Sequence, residues 1–251
     1  MLDVMILKRA GHTNLSNLRT IVLFQPYCNF AFKHVGREMM KNAEAAGVLA
    51  PEHYGSRKWH RAIDLAVNKV LTNDVLHQLK RPGAICSNDA KSCYDLIGHT
   101  QASMEMQRNG VAKSVVDCLF TTLQHATHQV RTGYGDSAIY YGGSCWLVPL
   151  HGIGQGNGMG PAIWAVVSTP LLNILRKKGY GCEIRDPISG KRYKFIGYAF
   201  VDDTDLVQSS PGQHDIKTIT HDMQKSLDTW EASLKATCGA IVLEKTFLVP
   251  P

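Results

Sequence analysis

No apolar run in this sequence approaches the roughly 18 residues that a membrane span needs. The N-terminus, Met1-Leu2-Asp3-Val4-Met5, places an acid at once and has no basic segment ahead of its apolar residues, so it does not read as a secretory leader. None of the seven cysteines (28, 86, 93, 118, 145, 182 and 238) forms a Cys-x-x-Cys pair, and their number is odd. A structural zinc site and a disulfide framework are therefore not expected, and a reducing, intracellular location is. The glycines at 152, 154, 156, 158 and 160 give Gly-x-Gly-x-x-Gly in no frame, and no Gly-Lys-Ser/Thr follows, so both phosphate-loop fingerprints are lacking. Asp203-x-Asp205 opens a calcium-loop spacing, but neither the third ligand nor the required glycine follows. Internal repeats and low-complexity tracts are also missing.

What is present is a chain of 251 residues, 44% apolar, long enough for one large domain or two intimate subdomains. The net charge of +6 is unevenly placed. Residues 1–61 hold nine lysines and arginines against four acids, and the remainder holds eighteen against seventeen. A basic N-terminal part beside a site of clustered acids suits a polyanion held by one part and metals held by another.

Periodicity gives the order of elements. Residues 4–7 and 19–24 read as a hairpin with a polar tip at 11–14, and 34–46 as a short basic helix. A helix is expected over 60–79, where Ile63, Ala66, Val67, Val70, Leu71, Val75 and Leu79 keep the helical period. A strand at 84–89 carries Asp89 at its end. A helix over 111–131 is expected to bury Val115, Val116, Leu119, Phe120 and Leu123, and a hairpin to turn at Gly142-Gly143 within 138–150. A helix over 161–178 has Pro161 placed for its first turn and a kink expected at Pro170. A hairpin in the apolar run 194–208, a helix over 216–234 and a strand at 239–243 complete the chain. This order is α+β, with helices packed on one face of a mostly antiparallel sheet.

Phe200-Val201-Asp202-Asp203 is the centre of the chemistry. Neighbouring strand residues point to opposite faces, so Asp202 and Asp203 share one site only where the chain turns at them. Two adjacent carboxylates repel unless a proton or a cation neutralises them. Asp89 ends a second strand, and a Gln-Gly-x-x-x-Gly-Pro turn at 155–161 opens a helix whose N–H groups face outward for an anion. Three carboxylates are the donor type that hard cations such as Mg²⁺ select, and in-line phosphoryl transfer uses two such ions about 3.5–4 Å apart.

Asn88-Asp89-Ala90-Lys91-Ser92-Cys93-Tyr94-Asp95, the Gln155–Pro161 turn and Phe200-Val201-Asp202-Asp203 resemble, in that order, motifs A, B and C of the reverse transcriptase palm. Thr237-Cys238-Gly239 through Glu244-Lys245-Thr246 resembles motif D, Leu18–Leu23 a fingers strand, and Tyr54-Gly55-Ser56-Arg57-Lys58 the Gly-x-Arg block before the first palm strand. The similarity is nearest to retrotransposon and intron-type enzymes. It implies a right-hand polymerase palm with partial fingers, divided as a fingers-like part over 1–83 and a palm with motifs A–D over 84–251. It further implies that Asp89, Asp202 and Asp203 bind two Mg²⁺ ions (or Mn²⁺) and that Lys245 assists pyrophosphate departure. By the same resemblance Arg19 grips the triphosphate, Tyr94 lies under the sugar, and Gln155 with Gly156 shapes the nucleotide pocket. The partners it implies are an RNA template, a DNA primer and deoxynucleoside triphosphates, with no membrane. An RNA-templated RNA polymerase and a degenerate palm that only binds nucleic acid are the competing classes. Asp95 and Asp205 are expected to bond nearby backbone, and His125 and His128 to share a helix face without ligand partners. The resemblance ends shortly after Lys245, so the chain reads as a fingers-palm part of a longer protein without a thumb.

Overall fold

The computed structural model describes residues 1–8, 11, 14, 17–143, 151–209, 212 and 215–249. In chain order the elements are β1 (Leu2–Leu7), β2 (Leu18–Leu23), α1 (Pro26–Ala45), α2 (Ala62–Gln78), β3 (Ala84–Asp89), α3 (His99–Arg108), α4 (Lys113–Gln124), β4 (Thr127–Thr132), β5 (Gly135–Gly142), α5 (Gly160–Lys177), β6 (Cys182–Arg185), β7 (Arg192–Phe195), β8 (Gly197–Phe200), β9 (Asp203–Gln208), α6 (Ile216–Ala236) and β10 (Phe247–Val249). A short 3-10 turn, Leu243–Lys245, precedes β10. The chain forms two compact units that interleave in sequence: Met1–Gly47 with Tyr94–Trp164, and Val48–Cys93 with Ala165–Pro251. Among the described residues no helix is long and apolar enough to cross a membrane.

The first unit holds a four-stranded sheet in the order β2-β1-β4-β5. β1 pairs antiparallel with β2, Asp3 opposite Val22, and parallel with β4, Asp3 opposite Val130. The hairpin expected at 4–7 and 19–24 is thus present, while residues 12 and 13 of its tip lie outside the described residues. The single helix expected over 111–131 is instead α4 followed by a strand. Thr127, Val130 and Thr132 supply the β-branched residues of β4, and the chain turns at His125-Ala126 before it joins β1. α3 was not legible, because its ten residues bury only Ala102, Glu105 and Met106. α1 starts at Pro26, eight residues earlier than expected, with the proline in its first turn. The hairpin expected within 138–150 is also displaced: β5 pairs back onto β4, and residues 144–150 lie outside the described residues.

The second unit is built on an antiparallel sheet in the order β10-β3-β9-β8. Pairing places Ile85 opposite Val207, Ser87 opposite Asp205 and Asp89 opposite Asp203, so these six residues share one face. Asn88 and Thr204 point to the other face, where both are buried, and the Trp230 indole of α6 donates to Asn88 Oδ1 at 2.9 Å. α2 lies on the carboxylate side instead, with Leu76 joining Ile85, Tyr198 and Val207 in one core cluster. Helices therefore cover both faces, not one. The periodic stripe of α2 exists but faces outward: Ile63, Val67, Val70 and Leu71 are exposed, and Thr72 and Leu76 are its buried residues. The α5 stripe is buried as expected except at Ile174, and the helix continues through Pro170. The strand expected at 239–243 is a connector. It makes one bridge, Ile241 with Ala90, and the strand that borders β3 is β10.

Candidate active site

The turn between β8 and β9 is only two residues long, Val201-Asp202, and Val201 takes the left-handed φ of 57°. For a β-branched residue that conformation is strained, and it is held by neighbours on both sides. The Ala90 amide donates to the Asp202 carbonyl at 3.0 Å, tying the turn to the end of β3. On the outer side, residues 52–55 run along the free edge of β8: the Ala199 amide donates to the Glu52 carbonyl at 2.9 Å, and the Tyr54 amide to the Ala199 carbonyl at 2.8 Å. Gly55 then passes so close that a methyl group on it would lie 2.6 Å from the Val201 nitrogen. Arg57 secures this loop by donating to the carbonyls of Ala50 (3.1 Å) and His53 (3.2 Å). Sequence reasoning marked Gly55 and Arg57 only as a family block; their role here is to buttress the carboxylate turn.

Asp89 and Asp203 face each other across β3 and β9, with Asp202 next along the chain. Directly opposed strand residues carry Cβ atoms about 4.5–5.5 Å apart, so the two carboxylates share a small space. Partial desolvation, followed by repulsion from Asp202, Asp89 and Asp205, raises the Asp203 carboxyl above the ordinary carboxylate range, although the residue itself is exposed. Lys245 supplies the cation. The 3-10 turn is hung on β3 by the Val242 amide, which donates to the Asp89 carbonyl at 2.9 Å, and the Lys245 ammonium donates to Asp89 Oδ2. That hydrogen bond, with Asp202 and Asp203 nearby, holds the ammonium above its usual range. A cleft of about 660 Å³ opens here, lined among others by Ser87, Asp89, Asp203, Asp205 and Lys245.

Among the described residues no three His, Cys, Asp or Glu side chains already converge as a metal cluster. The donor chemistry nevertheless fits a hard cation: carboxylates on one face repel one another, and a positive group already rests on Asp89. Asp205 bonds a side chain and not the backbone expected for it, since Lys69 Nζ lies 2.7 Å from its Oδ2.

The remaining predicted site residues belong to the first unit. The Gln155 carbonyl accepts from the Val22 amide of β2 at 2.7 Å, and its own amide bonds the Asp95 carboxylate. Burial is the larger influence on Asp95 and raises its carboxyl despite that bond. Gly156 sits at φ 121°, against Val22, where any side chain would collide with the Val22 carbonyl. Asn29 braces the same turn, its Oδ1 accepting from the Gly158 amide at 2.6 Å, and the buried Asn157 bonds the Ile153 carbonyl and the Met159 amide. Neither asparagine was legible in advance. The Tyr94 ring lies against Gly160 at the start of α5, and its carbonyl accepts from the Ile153 amide at 2.8 Å. Tyr94, Gln155 and Gly156 are thus brought together. Arg19 is exposed and three residues from Val22 on β2, which puts it on the opposite face of that strand from the one packed on the turn. His128 does not share a helix face with His125. It lies on β4, where its ring bonds the buried Asp3 carboxylate at 3.0 Å.

No protein-family model matches the sequence, and no curated protein matches it. Solved structures do. Telomerase from Candida albicans in complex with a TWJ fragment of telomeric RNA aligns with a TM-score of 0.62 at 11% identity, over 99% of this chain and 41% of that one. Apo telomerase from Candida tropicalis aligns with a TM-score of 0.60 at 12% identity, over 99% of this chain and 44% of that one. A form of the latter truncated from its C-terminal domain gives 0.57 at 13% identity over 90% of this chain and 41% of that one. The chain thus spans about two-fifths of the telomerase chains it matches, and over that span it shares their fold.

Proposed function

We propose that this chain carries the nucleotidyl-transfer centre of an RNA-templated DNA polymerase. The observation that carries the reading is the cross-strand pairing of Asp89 with Asp203, with Asp202 in the adjoining turn and the Lys245 ammonium on Asp89. Motif order in the sequence and the fold shared with telomerases support it. RNA as a partner accords with the TWJ fragment of telomeric RNA in complex with one of those neighbours, and its use as template rests on the motif resemblance. The placement within a retroelement polyprotein rests on the motif resemblance alone.

Asp89, Asp202 and Asp203 are the residues that would hold Mg²⁺, which when bound polarises phosphoryl oxygens and lowers the pKa of a bound hydroxyl. The protein's own part is positioning and charge. The β8–β9 turn fixes the carboxylates, while Lys245 keeps a proton-bearing cation beside Asp89 for the leaving pyrophosphate. Tyr94, Gln155 and Gly156, which lie together, are assigned to the deoxynucleoside triphosphate, and the assignment of Arg19 to it rests on the motif resemblance alone.

Primer extension on an RNA template with Mg²⁺, for the parent, Asp89→Asn and Asp203→Asn, tests the assignment. Both variants are expected to lose extension while melting at or near the parent temperature, because losing one carboxylate removes a ligand and also relieves repulsion. Near-normal extension by both would refute the reading.

A further inference from the structure

Helix α2 turns most of its apolar residues away from the sheet and, beside the buried Leu76, meets the carboxylate face through polar ones. Lys69 reaches Asp205, the Thr72 hydroxyl donates to the Tyr198 phenol, and that phenol donates to the Asn68 carbonyl at 3.1 Å. Asp205 stands two residues beyond Asp203 on β9, on the same face, opposite Ser87 on β3 and Tyr198 on β8. Its side chain is only 13% exposed, and its Oδ1 is buried with no hydrogen-bond partner. A nearly enclosed carboxylate with one bare oxygen is strongly disfavoured unless the other is neutralised. Lys69 is therefore what makes an acid tolerable at that point of the strand.

We infer that Lys69 is a positioning residue: through its ion pair with Asp205 it pins β9 to α2 and thereby sets Asp203 at its spacing from Asp89. The inference rests on the polymerase reading of the carboxylates. Without the ammonium, Asp205 has neither oxygen partnered, and β9 relaxes by turning that side chain toward the open end of the cleft, where Asp203 lies. The Lys69 side chain is itself 34% exposed, which limits what the pair adds to global stability. Reaction geometry, in contrast, responds to displacements well below an ångström.

The test compares the parent with Lys69→Met, Lys69→Arg and the double variant Lys69→Met/Asp205→Asn. Single-nucleotide extension is measured, and also the rise in melting temperature on adding Mg²⁺ alone. Lys69→Met is expected to lower kcat about tenfold or more with KM for the nucleotide within about twofold. The Mg²⁺ concentration giving half the melting rise should increase about fivefold by the same misplacement of the carboxylates. Lys69→Arg should restore kcat. The double variant should extend faster than Lys69→Met, because it leaves no buried charge unpaired. Parent-like kcat and Mg²⁺ response in Lys69→Met overturn the inference, as does a double variant no better than the single. A loss that merely follows the melting temperature and is not rescued by arginine also overturns it. A parent that neither extends primers nor is stabilised by Mg²⁺ refutes the polymerase reading, and the inference falls with it.

Discussion

Replacing Gly55 by alanine tests whether residues 52–55 hold the carboxylate turn. The added methyl group would sit 2.6 Å from the Val201 nitrogen and 2.8 Å from Val201 Cγ2. Ordinary carbon contacts begin near about 3.5 Å, so the two segments must separate by roughly 0.7–0.9 Å. The methyl cannot turn away, and on the far side is backbone already held at φ 57°. Overpacking of this kind costs about 1–3 kcal/mol. For a chain of this size that corresponds to a fall in melting temperature of about 2–12 °C. The same displacement moves Asp202 and Asp203, and a misplacement approaching 1 Å lowers the rate by about a hundredfold. Gly133→Ala is the control, because a methyl group there meets no atom within 4 Å. Melting curves and single-turnover extension are measured for both. If Gly55→Ala melts and extends like Gly133→Ala, residues 52–55 do not support the turn and the geometric argument fails.

Two further outcomes are expected. His53 is buried, its Nε2 has no hydrogen-bond partner, and burial, with a smaller push from Arg57 and against the Gly55 carbonyl, lowers it to about 4. The unfolded chain takes up that proton near the ordinary value of about 6.5, so stability is present above that pH and is lost as pH falls toward 4, by about 2 kcal/mol between pH 7 and pH 5. Urea unfolding at the two pH values should show this drop in the parent and a smaller one in His53→Gln; equal drops would exclude His53 as the source. Tyr94→Ala should raise ribonucleotide relative to deoxyribonucleotide incorporation, by about tenfold in kcat/KM if its ring excludes a 2′-hydroxyl. Parallel loss with both nucleotides would make Tyr94 a packing residue against Gly160.

The carboxylate turn of the second unit was legible because adjacent aspartates after an apolar run leave few geometries, and a tight hairpin is the one observed. The register of Asp89 against Asp203 was not. It depends on strands 114 residues apart in sequence, and nothing local to either states how they align. α2 misled for a related reason. Periodicity reports that a helix has two unlike faces, but which face is covered is decided by Lys69, Thr72 and Leu76 meeting the sheet. Residues 239–243 read as a strand by composition, yet their partners are Asp89 at the end of β3 and the two residues after it, and the ladder ends after one bridge. Asn29, which braces the Gln155–Pro161 turn, lies 129 residues from its Gly158 partner and carries no motif.

The pairing of β3 with β9 also imposes a rule of parity. Asp203 and Asp205 look into the cleft and Thr204 looks toward α6, so odd and even positions of β9 have unlike duties. Inserting one residue while the hairpin keeps its two-residue turn would slip β9 one place against β3 and exchange those duties, sending a carboxylate to the side where Trp230 is sealed against Asn88 and bringing a threonine into the cleft. Inserting two would lengthen the hairpin and leave every side chain on its own face. Length variation in this hairpin should therefore be permitted in even steps and forbidden in odd ones, unless a bulge absorbs the extra residue.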